Sequence, residues 1–279
     1  MRYRKGHVAI SDTRDVPILL NIRNARAVTM SQLIDELFHL GLESNLRSTY
    51  WRIRRLVANG FLTKLRHSKT IGEPAYAITR AGLAVLETRG HYLLALSSES
   101  RNILADAEVL HMIEINAIRI ALMKAGILDD WKMELVIISE NLVNRFNTRK
   151  DYDAIVTVRH AGRRVRFALE FEKTAKSASR YLEISKSILR DTSIDLVVYL
   201  AANQELLSLL AQEFRSLGDK MAFCISNQFK IQLLQTHMLT VGDHSEFRPF
   251  SEILNYLPEA DDKLSYLPFE LYLETEKTA

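Results

Sequence analysis

The stretch VRFALEFE, Val165 to Glu172, alternates with a period of two. In a strand, residues two apart share a face. Val165, Phe167, Leu169 and Phe171 therefore point into a core, and Arg166, Ala168, Glu170 and Glu172 share the other face. Two carboxylates on one face repel unless a cation, a base or water separates them. The preceding residues, DYDAIVTVRHAGRRV, read as a first strand that turns through HAGR, so the two strands form a hairpin. That turn puts Asp153, at the start of the first strand, opposite the Glu170–Glu172 region. Three carboxylates near one point suit magnesium or manganese, which favour oxygen ligands.

The elements around this hairpin follow from periodicity. DAEVLHMIEINAIRIALMKAG reads as a long helix ending at Gly126, and KMELVIIS as a strand. After the hairpin, KSASRYLEISKSILR is a helix, and IDLVVYLA is an unbroken apolar run fit for a central strand. NQELLSLLAQEFRSLG is a helix, MAFCIS a strand and NQFKIQLLQ a short helix. This order predicts an α/β domain with a mixed sheet.

The N-terminal part reads differently. DVPILLNIRNARAVT has apolar residues at helical spacing behind an acidic cap. TMSQLIDELFHLG opens with Thr29 and Gln32 in capping-box register, closes on Gly41, and carries Leu33, Leu37 and Leu40 as a stripe. SNLRSTYWRIRRLVANG follows, with Ile53, Leu56 and Val57 facing the core. FLTKLRHSKTIGEPAYAIT reads as two short strands around a Gly-Glu-Pro turn, and RAGLAVLETRG as a closing helix. Residues 1–100 hold 15 Lys and Arg against 8 Asp and Glu, and the remainder 22 against 26. A basic domain joined to a mildly acidic one suggests that the first meets a polyanion, although charge alone fits a solvated surface equally well.

Residues 14–90 resemble the winged helix-turn-helix family in element order and in the pieces N-G-F-L and Y-x-I-T-x-x-G. A helix of that kind fits the DNA major groove, with its N-terminal half at the base edges. Arg47, Ser48, Thr49 and Arg52 are the candidates there, with Trp51 beside them; Arg54, Arg55, Lys64, Arg66 and Lys69 would neutralise phosphates. The second domain resembles the PD-(D/E)xK nuclease superfamily in layout. Tyr152-Asp153 stands at the "PD" position, with tyrosine replacing proline, and Glu170-Phe171-Glu172 at the "(D/E)xK" position. The usual lysine is Glu172 here, and Lys173 follows one place late. The resemblance implies Asp153, Glu170, Glu172 and Lys173 as catalytic residues and Asp153, Glu170 and Glu172 as ligands of Mg2+ or Mn2+. Glu114 matches the extra acidic residue that some members carry on the preceding helix. Most of the chain is similar to the replication-relaxation family: a winged helix, then His111, Asn116 and Arg119 on one helix, then Glu170-x-Glu172-Lys173 followed by Arg180-Tyr181. That resemblance implies DNA handling in replication, mobilisation or its regulation.

The expected organisation is a winged helix at 1–100, a restriction-endonuclease-like α/β domain at 101–240, and an acidic, aromatic tail at 241–279 that packs on the protein or on a second copy. The tail holds nine acidic and three basic residues but too many aromatics and leucines for plain disorder. HYLLALSSESRN, between the domains, reads as a linker or a docked helix end. No apolar run reaches the roughly 18 residues of a membrane span, and MRYRKGHVAISDTRD lacks the apolar stretch of a signal peptide, so a cytoplasmic protein is expected. One cysteine, Cys224, excludes an internal disulfide. No phosphate loop, zinc motif or GxSxG elbow is present. His111 reads as a hydrogen-bonded core or interface histidine before it reads as a ligand. The expected function is DNA binding in a mobile element or bacterial host, as a homodimer, with replication, mobilisation or transposition proteins as partners. The alternatives are a metal-dependent endonuclease targeted by the winged helix and a protein-interaction scaffold that touches no DNA.

Overall fold

The computed structural model of the chain describes residues 9–66, 71–98, 106–143, 148–242 and 245–260. The N-terminal unit runs α1 (Asp15–Ala25), β1 (Val28–Thr29), α2 (Met30–His39), α3 (Leu46–Ala58), β2 (Leu62–Lys64), β3 (Ala75–Ile78) and α4 (Arg80–Glu87). Its three strands pair antiparallel in the order β1-β3-β2, which makes a winged helix-turn-helix. Local chemistry sets the helix starts. The Thr29 hydroxyl accepts from the Gln32 amide while the Gln32 side chain accepts from the Thr29 amide, closing a capping box on α2. Asn45 caps α3 and Thr79 caps α4. Gly60, at φ +76°, turns the chain from α3 into β2. Ile18, Leu19, Ile22, Leu33, Ile53 and Leu56 form the core; Leu40, the last of the expected α2 stripe, is exposed.

The second unit runs α5 (Asp106–Lys124), β4 (Leu128–Met133), α6 (Glu134–Val143), β5 (Ala154–His160), β6 (Arg163–Glu172), α7 (Ala178–Arg190), β7 (Val197–Ala201), α8 (Gln204–Glu213), β8 (Met221–Ile225), α9 (Ser226–Gln232), β9 (His237–Val241), β10 (Ser245–Pro249) and α10 (Phe250–Asn255). Its seven strands lie in the order β10-β9-β8-β7-β6-β5-β4. β6, β7 and β8 are parallel, and the outer pairings are antiparallel. The chain is thus mixed α/β, with a mixed sheet behind a winged helix. β5 and β6 form the expected hairpin through Ala161 and Gly162, both at positive φ as a tight two-residue turn requires.

Two expectations are corrected. The run KMELVIIS is not one strand: Lys132 and Met133 end β4, and Glu134 opens α6, which buries Leu135, Ile137 and Ser139. The α/β domain does not end at residue 240: the described part of the expected tail, which was to pack on the protein or on a second copy, continues its sheet. β10 pairs with β9 at the sheet edge, and Phe250 of α10 is buried edge-on against Phe167 at 5.2 Å and Phe229 at 5.7 Å. Residues 261–279 lie outside the described residues. Leu96, from the expected linker, packs with Leu83 and Leu135.

The units are joined by a polar seam. Arg119 of α5 holds Glu36 of α2 with both guanidinium nitrogens. Gln32 donates to the Ile113 carbonyl at 2.7 Å and accepts from Asn116 at 3.2 Å. Met133 and Trp131 of β4 pack into the winged-helix core. Among the described residues, no helix is long and apolar enough to cross a membrane.

Candidate functional site

The acidic face of β6 is buried, not solvated. Glu170 and Glu172 are 7% and 5% exposed, and the opposite face carries Phe167, Leu169 and Phe171 into the main core. Each glutamate is held by its own lysine: Lys150, from the loop before β5, donates to Glu170, and Lys176, from the loop after β6, donates to Glu172. Those cations are what two carboxylates on one buried face require. The ladder pairs Ala154 with Leu169, which sets Asp153 across from Glu170. One Asp153 oxygen lies 2.9 Å from His111 Nε2, and the other accepts the Phe171 backbone N–H at 2.7 Å. The His111 ring is tilted against Phe171 at 5.5 Å.

The electrostatics divide the acids. Burial, opposed by Lys150 and reinforced by the Asp153 charge, pushes Glu170 up to about 7. Asp153 goes the other way: burial opposes its ionisation, but the His111 hydrogen bond and charge and the Phe171 amide hold it below the usual carboxylate range. His111 is raised in turn, because its bond to Asp153 outweighs burial. Glu134, whose backbone N–H donates to the Asp153 carbonyl, is raised by burial and by the Asp153 charge. Around this cluster, Lys150 lies 4.8 Å over the Tyr152 ring, and the buried Tyr199 hydroxyl has no hydrogen-bond partner among the described residues.

The remaining candidates fall elsewhere. Glu114 accepts from the Ser226 hydroxyl and from Lys230 at the start of α9. Lys173 lies beyond the end of β6 and is exposed. Among the described residues, no group of three His, Cys, Asp or Glu converges as a metal cage. Magnesium, however, is generally taken by one or two carboxylates with water and phosphate oxygens filling the rest. Asp153, just before β5, and Glu170, across from it on β6, are of the right hard-oxygen chemistry and fit that smaller demand. Lys150 and His111, which engage them, were not among the residues assigned to the site from sequence; Lys150 is carried by a loop whose contact is set only by the fold.

The second candidate surface is α3. Arg47, Tyr50, Trp51 and Arg54 form an exposed stripe at helical spacing. Arg47 and Arg54 have no side-chain partner among the described residues. The Arg55 guanidinium lies 5.5 Å over the Trp51 ring and donates to Asp15. Lys64 and Arg66 are exposed on the wing, and Lys69 lies outside the described residues. Three expected base readers face inward. Arg52 is 6% exposed and bonds Asp15 and Glu43, each at 2.8 Å. Thr49 is fully buried and donates to the Asn45 carbonyl, and the Ser48 hydroxyl donates to Glu43. Against the cost of burial, the bonds from Arg55, the Ser11 amide and Arg52 hold Asp15 low, and those from Arg14, Arg52 and Ser48 do the same for Glu43. Tyr50, 46% exposed, is the surface residue that the sequence reading passed over.

No family model matches the sequence, and no curated protein matches it significantly. A solved structure of restriction endonuclease FokI bound to DNA is similar at 12% identity, with a TM-score of 0.23, over 78% of this chain and 43% of that one. A score that low does not establish a shared fold, so the functional reading rests on the chain's own geometry.

Proposed function

We propose that the chain is a double-stranded-DNA-binding protein that engages the duplex through α3 and the wing, and that it serves the replication, transfer or regulation of a mobile element or its host. The observation that carries this is the stripe of Arg47, Tyr50, Trp51 and Arg54, whose two arginines are solvent-facing and unpaired among the described residues. Free guanidinium groups on one helix face can reach base edges and phosphates, and the exposed Lys64 and Arg66 extend the charge. The resemblance to the replication-relaxation family supports the cellular role. Selection from a random duplex pool, followed by titration at several salt concentrations, tests it. The expected result is salt-dependent binding that an Arg47→Ala/Arg54→Ala double variant loses. Equal binding by the variant would overturn the α3 stripe as the contact surface, and no salt-dependent binding at all would favour a protein scaffold.

A metal-dependent endonuclease is the second reading, favoured by the buried convergence of Asp153 and Glu170. Asp153 and Glu170 would hold Mg2+ or Mn2+, which polarises a phosphodiester and lowers the pKa of bound water. His111 would keep Asp153 ionised and oriented. Lys150 and Lys176, which now neutralise the two glutamates, would meet the negative charge of the phosphate. Nicking of supercoiled DNA with manganese, lost in Asp153→Asn while duplex binding persists, is the outcome this reading requires.

A further inference from the structure

The carboxylate pair of Asp153 and Glu170 already has a cation on it. Lys150 donates to Glu170 Oε1 from the loop before β5. The two side chains are 13% and 10% exposed, so the ion pair is largely shut off from solvent. Asp153, across the hairpin, is held by His111 on one oxygen and by the Phe171 N–H on the other. A divalent cation shared by Asp153 and Glu170 therefore meets a positive charge seated on one of its two ligands. In a buried site two such charges repel far more strongly than in water, so the metal and the ammonium exclude each other. Lys176, by contrast, bonds Glu172, two residues further along β6, and is the more exposed of the two lysines.

Lys150 has other holds. Its ammonium lies 3.3 Å from the Asp151 carbonyl oxygen and 4.8 Å over the Tyr152 ring. That ring is itself fixed, because Tyr152 is fully buried and its hydroxyl donates to Asp191 at 3.2 Å. Released by Glu170, the ammonium keeps an acceptor and an aromatic face beside the site.

We infer that Lys150 is the resident counter-ion of this carboxylate pair, which yields its place on Glu170 to a divalent cation and withdraws to the Asp151 carbonyl and the Tyr152 ring. The inference rests on the metal-dependent reading given above and names what keeps that site closed until the metal arrives. The step exchanges one cation for another: no covalent bond changes, and Lys150 keeps its proton. It also answers a cost. A buried carboxylate without a positive partner is strongly destabilising, and the exchange leaves Glu170 paired before and after.

The test uses the full chain and Mn2+. Acetylation by an N-hydroxysuccinimide ester, read by peptide mass spectrometry, reports which lysine ammonium groups solvent reaches. Lys132, 12% exposed and bonded to Glu140 at 3.1 Å, is the internal control. Mn2+ should raise the labelling of Lys150 severalfold and leave Lys132 unchanged, and Asp153→Asn should abolish the rise. Binding itself is followed by loss of the paramagnetic resonance signal of free Mn2+. Lys150→Met removes the competitor and should tighten binding roughly tenfold, the scale of one charge-assisted hydrogen bond that no longer has to break. Should that variant not fold, the labelling of the unaltered chain decides alone. The two failures are distinct. Mn2+ that binds through Asp153 but leaves Lys150 labelling unchanged, or that binds Lys150→Met no more tightly, would overturn the counter-ion role and leave the metal reading standing. No Asp153-dependent Mn2+ binding in either protein would remove both.

Discussion

Arg47 and Arg52 share one helix but not one environment. Arg52 joins Asp15 and Glu43, which are 0% and 6% exposed, so Arg52→Ala would leave each of these buried carboxylates with a single arginine, Arg55 on Asp15 and Arg14 on Glu43. The expected loss is about 1.5–3 kcal/mol, by urea denaturation, whereas Arg47→Ala should change stability by less than about 0.5 kcal/mol. Equal losses would mean that Arg47 has a structural partner. The buried acids also set a pH dependence. Glu170 titrates near 4.5 in the unfolded chain and at about 7 in the folded protein. In that window the folded state binds the extra proton, so this group's stabilising contribution is complete below pH 4.5 and is lost as pH rises through about 7. His111, also raised, acts in the same sense above its ordinary value of 6.5, while Asp153, lowered, acts oppositely but only in acid. Thermal melts should therefore show stability falling from pH 4.5 toward 7, and Glu170→Gln should flatten the fall. A profile that rises over this range, or one the variant leaves unchanged, would show that Glu170 is ionised in the folded protein.

At the scale of elements, local signals were readable and non-local ones were not. The Thr29–Gln32 capping box, the β5–β6 hairpin and the alternation of β6 all lie within short windows of sequence, and the structure has each of them. KMELVIIS is apolar and β-branched enough to read as a strand, yet from Glu134 on it is helical. It forms α6 because burying Leu135, Ile137 and Ser139 against the neighbouring elements decides the outcome over propensity. Asp153, Glu170 and Glu172 could be grouped from hairpin register alone. Lys150 could not be matched to Glu170, nor Arg52 to Asp15 and Glu43, because those pairings join separate elements. β9, β10 and α10 were missed for the same reason: SEFRP has little strand character until β9 lies beside it. Phe250 makes the consequence measurable. It is fully buried against Phe167 and Phe229, and Phe250→Ala is expected to destabilise the chain by roughly 3–5 kcal/mol in chemical denaturation. A loss below about 1 kcal/mol would mean that α10 is an appendage and not part of the core.

Across the whole molecule, the seam determines whether the winged helix and the α/β domain act as one body. A flexible tether would leave each with its own stability. Here α5 carries His111 at the carboxylate cluster and, further along the same helix, Asn116 and Arg119 at α2. The Gln32 side chain caps α2 and bonds α5 at once, so the start of that helix and the seam form together. Glu36 is 4% exposed and is held by Arg119. Such a junction should make unfolding a single event, and calorimetry of the full chain is expected to show one transition. Arg119→Ala leaves Glu36 buried and unpaired, a defect of about 3–5 kcal/mol located where the domains meet. It should lower the midpoint and split the transition in two. Replacing both partners with methionine removes the charge together with its counter-charge, a change that is often neutral in a buried site. The double variant should recover the single transition while Arg119→Ala does not. Two transitions in the unaltered chain would show instead that the seam is too weak to couple the domains, and the spacing between α3 and the carboxylate cluster would then not be fixed.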